Sequence, residues 1–434
     1  VEKGSSIDEM TSQLPKNVDL TYSDGSTGSL PISSWNTEGI DLTKVGDYTV
    51  TGTVKQTEYQ IPFAEDRADP SVYKWQWTHE VDGKEVTETK FLMIASNDIQ
   101  GDVTWQHGSP TCRSAWPTRF PVSPTSRATR MPDSVERLQQ QGGVAAQAGD
   151  KDSEVMHHAQ LLAPEIHEID GRLTILFMAG YGNTWSNGKS VYMQLKQDAD
   201  GHDLDPTDPD NWTVPTPIYR NDASLLNGNK QLAATASGGV GMSLDMTYFQ
   251  DADGRSYYAW QQLGATYIAT MDPKDPAHVT SSPVRIVTPE YAWNAAIAEG
   301  PNVTMRDGKL YLMFSGSGVG KTYTTGLAVA DAAGSDLTDP ASWTALNYPI
   351  QKSGPFNGEM QLGTGHGMWS EDEDGNQIYV FHAYATKNLG SVNATGRDMF
   401  VRRVHWAADG MPVFDMSSSE ELASKTVSVT VKVV

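Results

Sequence analysis

AEGPNVTMRDGKLYLMFSG, residues 298–316, contains in order a short polar motif, an Asp-Gly turn and a β-rich run, and the recurrence of that order decides the fold. Asp-Gly pairs stand at 82–83, 170–171, 253–254, 307–308 and 374–375, and each reads as a hairpin turn. The runs that follow are KFLMIAS from Lys90, RLTILFMAG from Arg172, RSYYAWQQL from Arg255, KLYLMFSGS from Lys309 and NQIYVFHAY from Asn376. Helical periodicity is nearly absent from these stretches.

Ahead of the turns lie ADPSV (68–72), APEIH (163–167), SLDMTYF (243–249), AEGPNV (298–303) and GTGHGMW (363–369). Asp245, Glu299 and His366 each precede their turn Asp by 8 residues, whereas Glu165 precedes its own by 5 and Asp69 by 13. Five β units of uneven length predict an all-β chain whose residues 58–434 form a closed propeller of five four-stranded blades. In such a ring the innermost strands converge on one axis, so residues hundreds of positions apart share one mouth. Carboxylates facing one another there are costly to bury unless they bind, titrate or pair.

Residues 1–57 differ in pattern. Short alternating runs such as VDLTY (18–22) and YTVTGTV (48–54), joined by Asp24-Gly25 and Val45-Gly46-Asp47 turns, predict a small β-sandwich. VGDYTVTGTV resembles the closing strand of bacterial immunoglobulin-like modules, and a spacer without chemistry of its own is the expectation for this segment.

Composition narrows the function classes. With 32 basic and 54 acidic side chains the formal charge is −22, which repels phosphate backbones and anionic headgroups, so neither nucleic acid nor a membrane is expected as a partner. The single cysteine, Cys112, allows no intramolecular disulfide and no thiolate cluster, which removes redox chemistry. With 12 Trp, 17 Tyr and 10 Phe the chain can bury a large aromatic core. The sequence opens at Val1 without a charged and apolar leader, so the protein either stays in the cell or has had a leader removed. Its acidity and cysteine poverty suit a bacterial secreted or cell-surface protein, and a monomer is expected.

Two carboxyl groups across a cleft are what glycosidic cleavage needs, one protonated to serve the leaving oxygen and one ionised to activate water or attack carbon. A third carboxylate raises the pKa of the acid by like-charge repulsion. Asp69, Asp245 and Glu299 fill that trio. Taken singly they have a plainer reading, since Asp before Pro caps turns and Glu-Gly-Pro bends a chain into a strand; their joint occurrence in blade order favours catalysis.

These motifs, with the Trp-containing turns DPDNW (208–212) and DPASW (339–343), resemble glycoside hydrolase family 43 over about residues 60–415. The resemblance implies a five-bladed propeller that cleaves arabinofuranosyl or xylosyl linkages with inversion. It implies Asp69 as general base, Asp245 as the carboxylate that tunes and orients the acid, and Glu299 as general acid. It places Glu165 beside the sugar subsite, as a substrate hydrogen-bond acceptor or a structural partner of a neighbouring blade, with His167 structural. His366 matches an axial histidine that binds a structural calcium ion, or fills the channel by hydrogen bonding; no cofactor is needed for the chemistry. The expected activity is exo-acting removal of terminal α-L-arabinofuranosyl units from plant polysaccharide or oligosaccharide. A β-D-xylosidase and a noncatalytic carbohydrate-binding propeller are the rivals.

Three further features stand out. Trp185 and Trp293, in predicted loops beside the motifs, are the candidates for stacking on sugar, and Trp75, Trp77, Trp260 and Trp369 are assigned to the core. Residues 99–160 lack strand periodicity and read as a long loop over the mouth. SGSGVGKT (315–322) ends like a phosphate-binding loop, but Ser315 occupies the place of its first Gly and the acidic protein argues against a nucleotide.

Overall fold

The computed structural model describes residues 1–22, 25, 27–56, 58–97, 102–107, 156–181, 188–226, 242–385, 396–422 and 424–434. The chain divides into two compact units, one of Val1–Tyr59 with Val404–Val434 and one of Gln60–Arg403.

The first unit carries a four-stranded sheet in the order Asn17–Thr21, Thr27–Asn36, Gly46–Val54, Thr426–Val433. This corrects the boundary expected from sequence, which assigned everything after residue 57 to the propeller. The last strand pairs antiparallel with Gly46–Val54 along its whole length, from Thr426 opposite Thr53 to Val433 opposite Gly46. Its alternation sends Val431 and Val433 into a core with Met10, Leu14, Leu42 and Val50. Met10 reaches that core from a short helix, Ile7–Ser12. There Ser6 Oγ accepts the Glu9 N–H and Glu9 Oε2 accepts the Ser6 N–H, a reciprocal cap that satisfies two otherwise orphaned donors.

The second unit is the five-bladed propeller. Its innermost strands are Arg67–Val81, Met156–Ile169, Leu244–Gln250, Ala298–Arg306 and Glu359–Glu371. Each touches the next in chain order and the fifth touches the first, which makes the ring. Blades two and four each order four strands from the axis outward, and blade one shows three among the described residues. Ring closure comes from the start of the unit: Ala64 bridges to Met399 on the third strand of blade five, and Asp66 N–H donates to Asp398 Oδ1 at 2.8 Å. Residues 102–107, expected to be loop, form a strand on Lys84–Asn97, and Met156–Ile169 begins within the same stretch; 108–155 lie outside the described residues.

Turn chemistry is of two kinds. At Asp82-Gly83, Asp170-Gly171 and Asp307-Gly308 both residues have positive φ, and the strands pair directly on either side, as in Arg306 opposite Lys309. These are two-residue hairpins of the twist-matched type. In blades three and five the turn is longer, from Gln250 to Ser256 and from Glu371 to Gln377. Here Asp251 and Asp372 fold the loop by accepting backbone N–H groups at i+2 and i+4.

Every innermost strand carries a bulge at the same point. Register shifts fall between Ala68 and Ser71, Leu162 and Glu165, Leu244 and Thr247, Glu299 and Asn302, and Gly365 and Met368. Each contains one residue in the left-handed region: Asp69 (φ 48°), Ala163 (51°), Asp245 (56°), Gly300 (58°) and His366 (47°). A bulge re-aims side chains and ends regular pairing, which is its common use beside active sites. It also revises the register read from the turns. Asp69, Asp245 and His366 occupy the bulge position itself, Glu299 stands one residue before it and Glu165 two after. The equal spacing of Asp245 and Glu299 from their turns arises because the blade-three turn is longer.

Candidate active site

The bulges bring Asp69, Asp245 and Glu299 together although separate blades carry them. They are 6%, 2% and 8% exposed, and the charges of both Glu299 and Asp69 act on Asp245.

Asp69 is held from several sides. Ser96 Oγ donates to its Oδ2 at 2.8 Å, Arg397 Nη1 donates to Oδ1 at 3.1 Å, and His366 Nδ1 lies 3.3 Å from the same oxygen. Its own N–H donates to His382 Nδ1 at 3.1 Å, and the same nitrogen stands 3.2 Å from Asp69 Oδ1. Burial alone would raise the Asp69 pKa, but the charges of Arg397 and His366 overcome it and hold the carboxyl well below its usual range. Burial, then the neighbouring guanidinium, pushes His382 down to about 4, so it is neutral.

The other two carboxyls move the opposite way. Burial, and then the charges of Glu299 and Asp69, push Asp245 well above its usual value; one backbone donor, Gly300 N–H to Oδ2 at 3.0 Å, opposes this. Burial raises Glu299 to about 7, against the Tyr323 hydroxyl that donates to its Oε1 at 2.8 Å. Two buried carboxyls this closely coupled do not both ionise at neutral pH. The site therefore sets one carboxylate that is always charged beside a pair that keeps a proton. Gly300 permits the arrangement, because a Cβ there would meet the His366 ring at 3.3 Å and its φ of 58° strains any other residue.

Glu165 lies just beyond. Its Oε2 contacts His167 Nε2 at 2.8 Å and accepts from Asn302 Nδ2 at 3.2 Å, and its charge also acts on Asp245. Asn302 ties blades together, since its Oδ1 accepts the Trp369 N–H at 3.0 Å. Of the two tryptophans expected to stack on sugar, Trp185 lies outside the described residues. Trp293 packs on a blade core: its Nε1 donates to Asn347 O at 3.0 Å, its ring sits 6.0 Å from Phe314, and Gly316 and Gly326 leave the room it fills. Trp75 and Trp260 are buried in the hydrophobic core, as assigned.

The donors beside His366 do not suit calcium, which takes six to eight oxygens. The carboxylate that His366 Nδ1 faces is already bound to Arg397, and among the described residues no group of three or more His, Cys, Asp or Glu side chains is placed to hold a metal.

Residues 134–412 match the family described as glycosyl hydrolases family 43, well over half of the chain. The chain belongs to glycosyl hydrolases family 43. The family match starts after blade one, so Asp69 lies outside it, and geometry alone brings Asp69 beside Asp245 and Glu299. Residues 1–57 match the bacterial Ig-like domain (group 4), in keeping with the sandwich read from sequence.

Relatives of this family 43 chain include an extracellular exo-alpha-(1->5)-L-arabinofuranosidase of Streptomyces avermitilis, 28% identical over 269 residues, covering 59% of this chain and 50% of that protein. Alpha-L-arabinofuranosidase 43 of Humicola insolens is 29% identical over the same shares. The chain thus spans about half the length of the curated relatives it matches. Among solved structures, an alpha-L-arabinofuranosidase from Lactobacillus brevis superposes with a TM-score of 0.58 at 23% identity, over 82% of this chain and 96% of that one, which supports the propeller fold.

Ser96, Arg397, His382 and Tyr323 escaped the sequence reading. One signal for two of them was present: a polar residue late in an apolar run, as in KFLMIAS and NQIYVFHAY. Ser96 pairs with Ala68 and His382 with Gly365, each opposite the residue that precedes a bulge; Ser315 stands opposite Glu299 in the same way. Arg397 and Tyr323 follow no such pattern.

Proposed function

We propose that this protein is an inverting, exo-acting glycoside hydrolase that removes terminal α-L-arabinofuranosyl units from plant polysaccharide or oligosaccharide, and that it works outside the cell. The observation that carries the chemistry is the division of charge among three converging carboxyls. Asp69, ionised at any working pH, deprotonates the water that attacks the anomeric carbon. Glu299, with a pKa near 7, gives its proton to the departing oxygen. Asp245 performs neither step; its carboxyl beside Glu299 keeps a proton within the pair and fixes the Gly300 backbone that follows the acid. Support for the sugar and for secretion comes from the names of the relatives. Among the described residues no helix is long and apolar enough to cross a membrane.

The test is proton NMR of the sugar released from arabinosides and xylosides, with Asp69→Asn and Glu299→Gln alongside the parent. Inverted arabinose is expected. Released xylose as the main product would assign the β-D-xylosidase rival, and full turnover by Asp69→Asn would remove Asp69 as base. Glu299→Gln is expected to lose roughly 10²–10⁴-fold on natural oligosaccharides and far less on aryl glycosides, whose leaving groups need little protonation.

A further inference from the structure

We propose that Tyr323 is a positioning residue for the acid: its hydroxyl holds Glu299 Oε1, confines the transferable proton to Oε2, and sets the pH at which that proton is lost. This deepens the proposed function and rests on Glu299 being the acid.

The phenol is built into place. Tyr323 is 1% exposed, and its ring stacks on that of His382 at 5.6 Å with 5° between the planes. Gly365 makes room for it, because a Cβ there would come within 2.5 Å of ring atoms Cδ1 and Cε1. The Tyr323 N–H donates to Gly320 O at 3.1 Å, which anchors the loop that delivers the ring. Ser315, across the strand pair from Glu299, accepts the His366 N–H at 2.6 Å, and its hydroxyl favours the ionised form of the phenol.

Direction follows from the partners. Burial and the nearby carboxyls push Tyr323 well above the usual phenol range, so it keeps its proton and donates. An oxygen that accepts from Tyr323 is the carbonyl oxygen of the neutral carboxyl, which leaves the acidic proton on Oε2. Because a donor favours the ionised carboxylate, the same bond lowers the Glu299 pKa against burial.

Tyr323→Phe keeps the ring and its stack and removes only the hydroxyl. The measurement is kcat/KM against pH on an arabino-oligosaccharide and on an aryl arabinofuranoside, for the parent, Tyr323→Phe and Glu299→Gln. Tyr323→Phe is expected to move the alkaline limb upward by roughly one pH unit. Its loss on the oligosaccharide is expected to be roughly tenfold, with little loss on the aryl substrate. An unmoved limb with equal losses on both substrates would overturn the proposal and leave Tyr323 a packing residue. Glu299→Gln separates the two layers. If it too shows equal losses, the assignment of the acid has failed; if it shows the leaving-group dependence and Tyr323→Phe does not, only the present inference has. Should the Phe variant not fold, Ser315→Ala, which makes the phenol a weaker donor to Glu299, is expected to move the same limb upward, and an unmoved limb there would overturn the proposal.

Discussion

Replacing Arg397 by Gln removes the cation on which the ionisation of Asp69 depends, and the consequence differs with pH in a way that can be worked out. Arg397 and Asp69 are both buried, with Nη1 3.1 Å from Oδ1. Taking one partner out of a buried ion pair costs about 3–5 kcal/mol when the other charge stays. Ser96 still donates to Oδ2 and His366 still faces Oδ1, so the lower end of that range, about 3 kcal/mol or roughly a hundredfold, is expected. In the parent the folded-state pKa of Asp69 lies below its unfolded value of about 3.9, so its contribution to stability is complete above that pH and is lost only as pH falls through the folded value. In Arg397→Gln burial acts with less opposition and raises the folded pKa. Once that pKa exceeds the unfolded one, stability declines as pH rises from about 3.9 through it. The gap between parent and variant in denaturant unfolding should therefore be small at pH 4 and full at pH 8. The acid limb of kcat/KM should move up toward the Glu299 limb and narrow the active range. Asp69→Asn should restore much of the lost stability, giving a large coupling in the double-mutant cycle. An equal loss at both pH values, with an unmoved acid limb, would refute the reasoning.

In the parent, kcat/KM on an unactivated oligosaccharide should fall above about pH 7 as Glu299 loses its proton, and a profile flat to pH 9 would contradict the environment assigned to that carboxyl. Gly300→Ala should cost about 1–3 kcal/mol in thermal or denaturant unfolding and lower activity, since it combines a left-handed φ with a Cβ 3.3 Å from the His366 ring; parental stability and activity would show that the bulge relaxes freely. Deleting residues 426–434 should abolish the calorimetric transition of the N-terminal unit and spare that of 60–403, because Val431 and Val433 leave its core and Gly46–Val54 loses its partner along the full strand.

Much of this architecture was legible because it is local. An Asp-Gly pair in a two-residue hairpin needs positive φ at both positions, and Asp82-Gly83, Asp170-Gly171 and Asp307-Gly308 supply it whatever surrounds them. Alternating and apolar runs announced the strands, and the polar motifs ahead of them announced the trio. The register was only partly legible: two turn lengths share one dipeptide, so counting back from Asp253 and Asp307 aligned Asp245 with Glu299, although the bulges align Asp245 with Gly300. Trp293 looked like a free aromatic because nothing nearby in sequence shows that Gly316 and Gly326 make a slot for it.

The chain by itself determined five β units, an N-terminal sandwich and three carboxyls that belong together, since turn dihedrals, strand periodicity and the cost of burying charge act within short windows or at repeated positions. Tertiary structure alone decided which carboxyl is ionised and which keeps a proton. Asp69 stays ionised because Arg397, 328 residues away, reaches its Oδ1, and Glu299 keeps its proton to about pH 7 because the ring closes over it. It also decided that the last strand returns to the first unit. Protonation depends on which groups lie within a few ångströms and on how much water is excluded, and neither quantity exists until the blades meet.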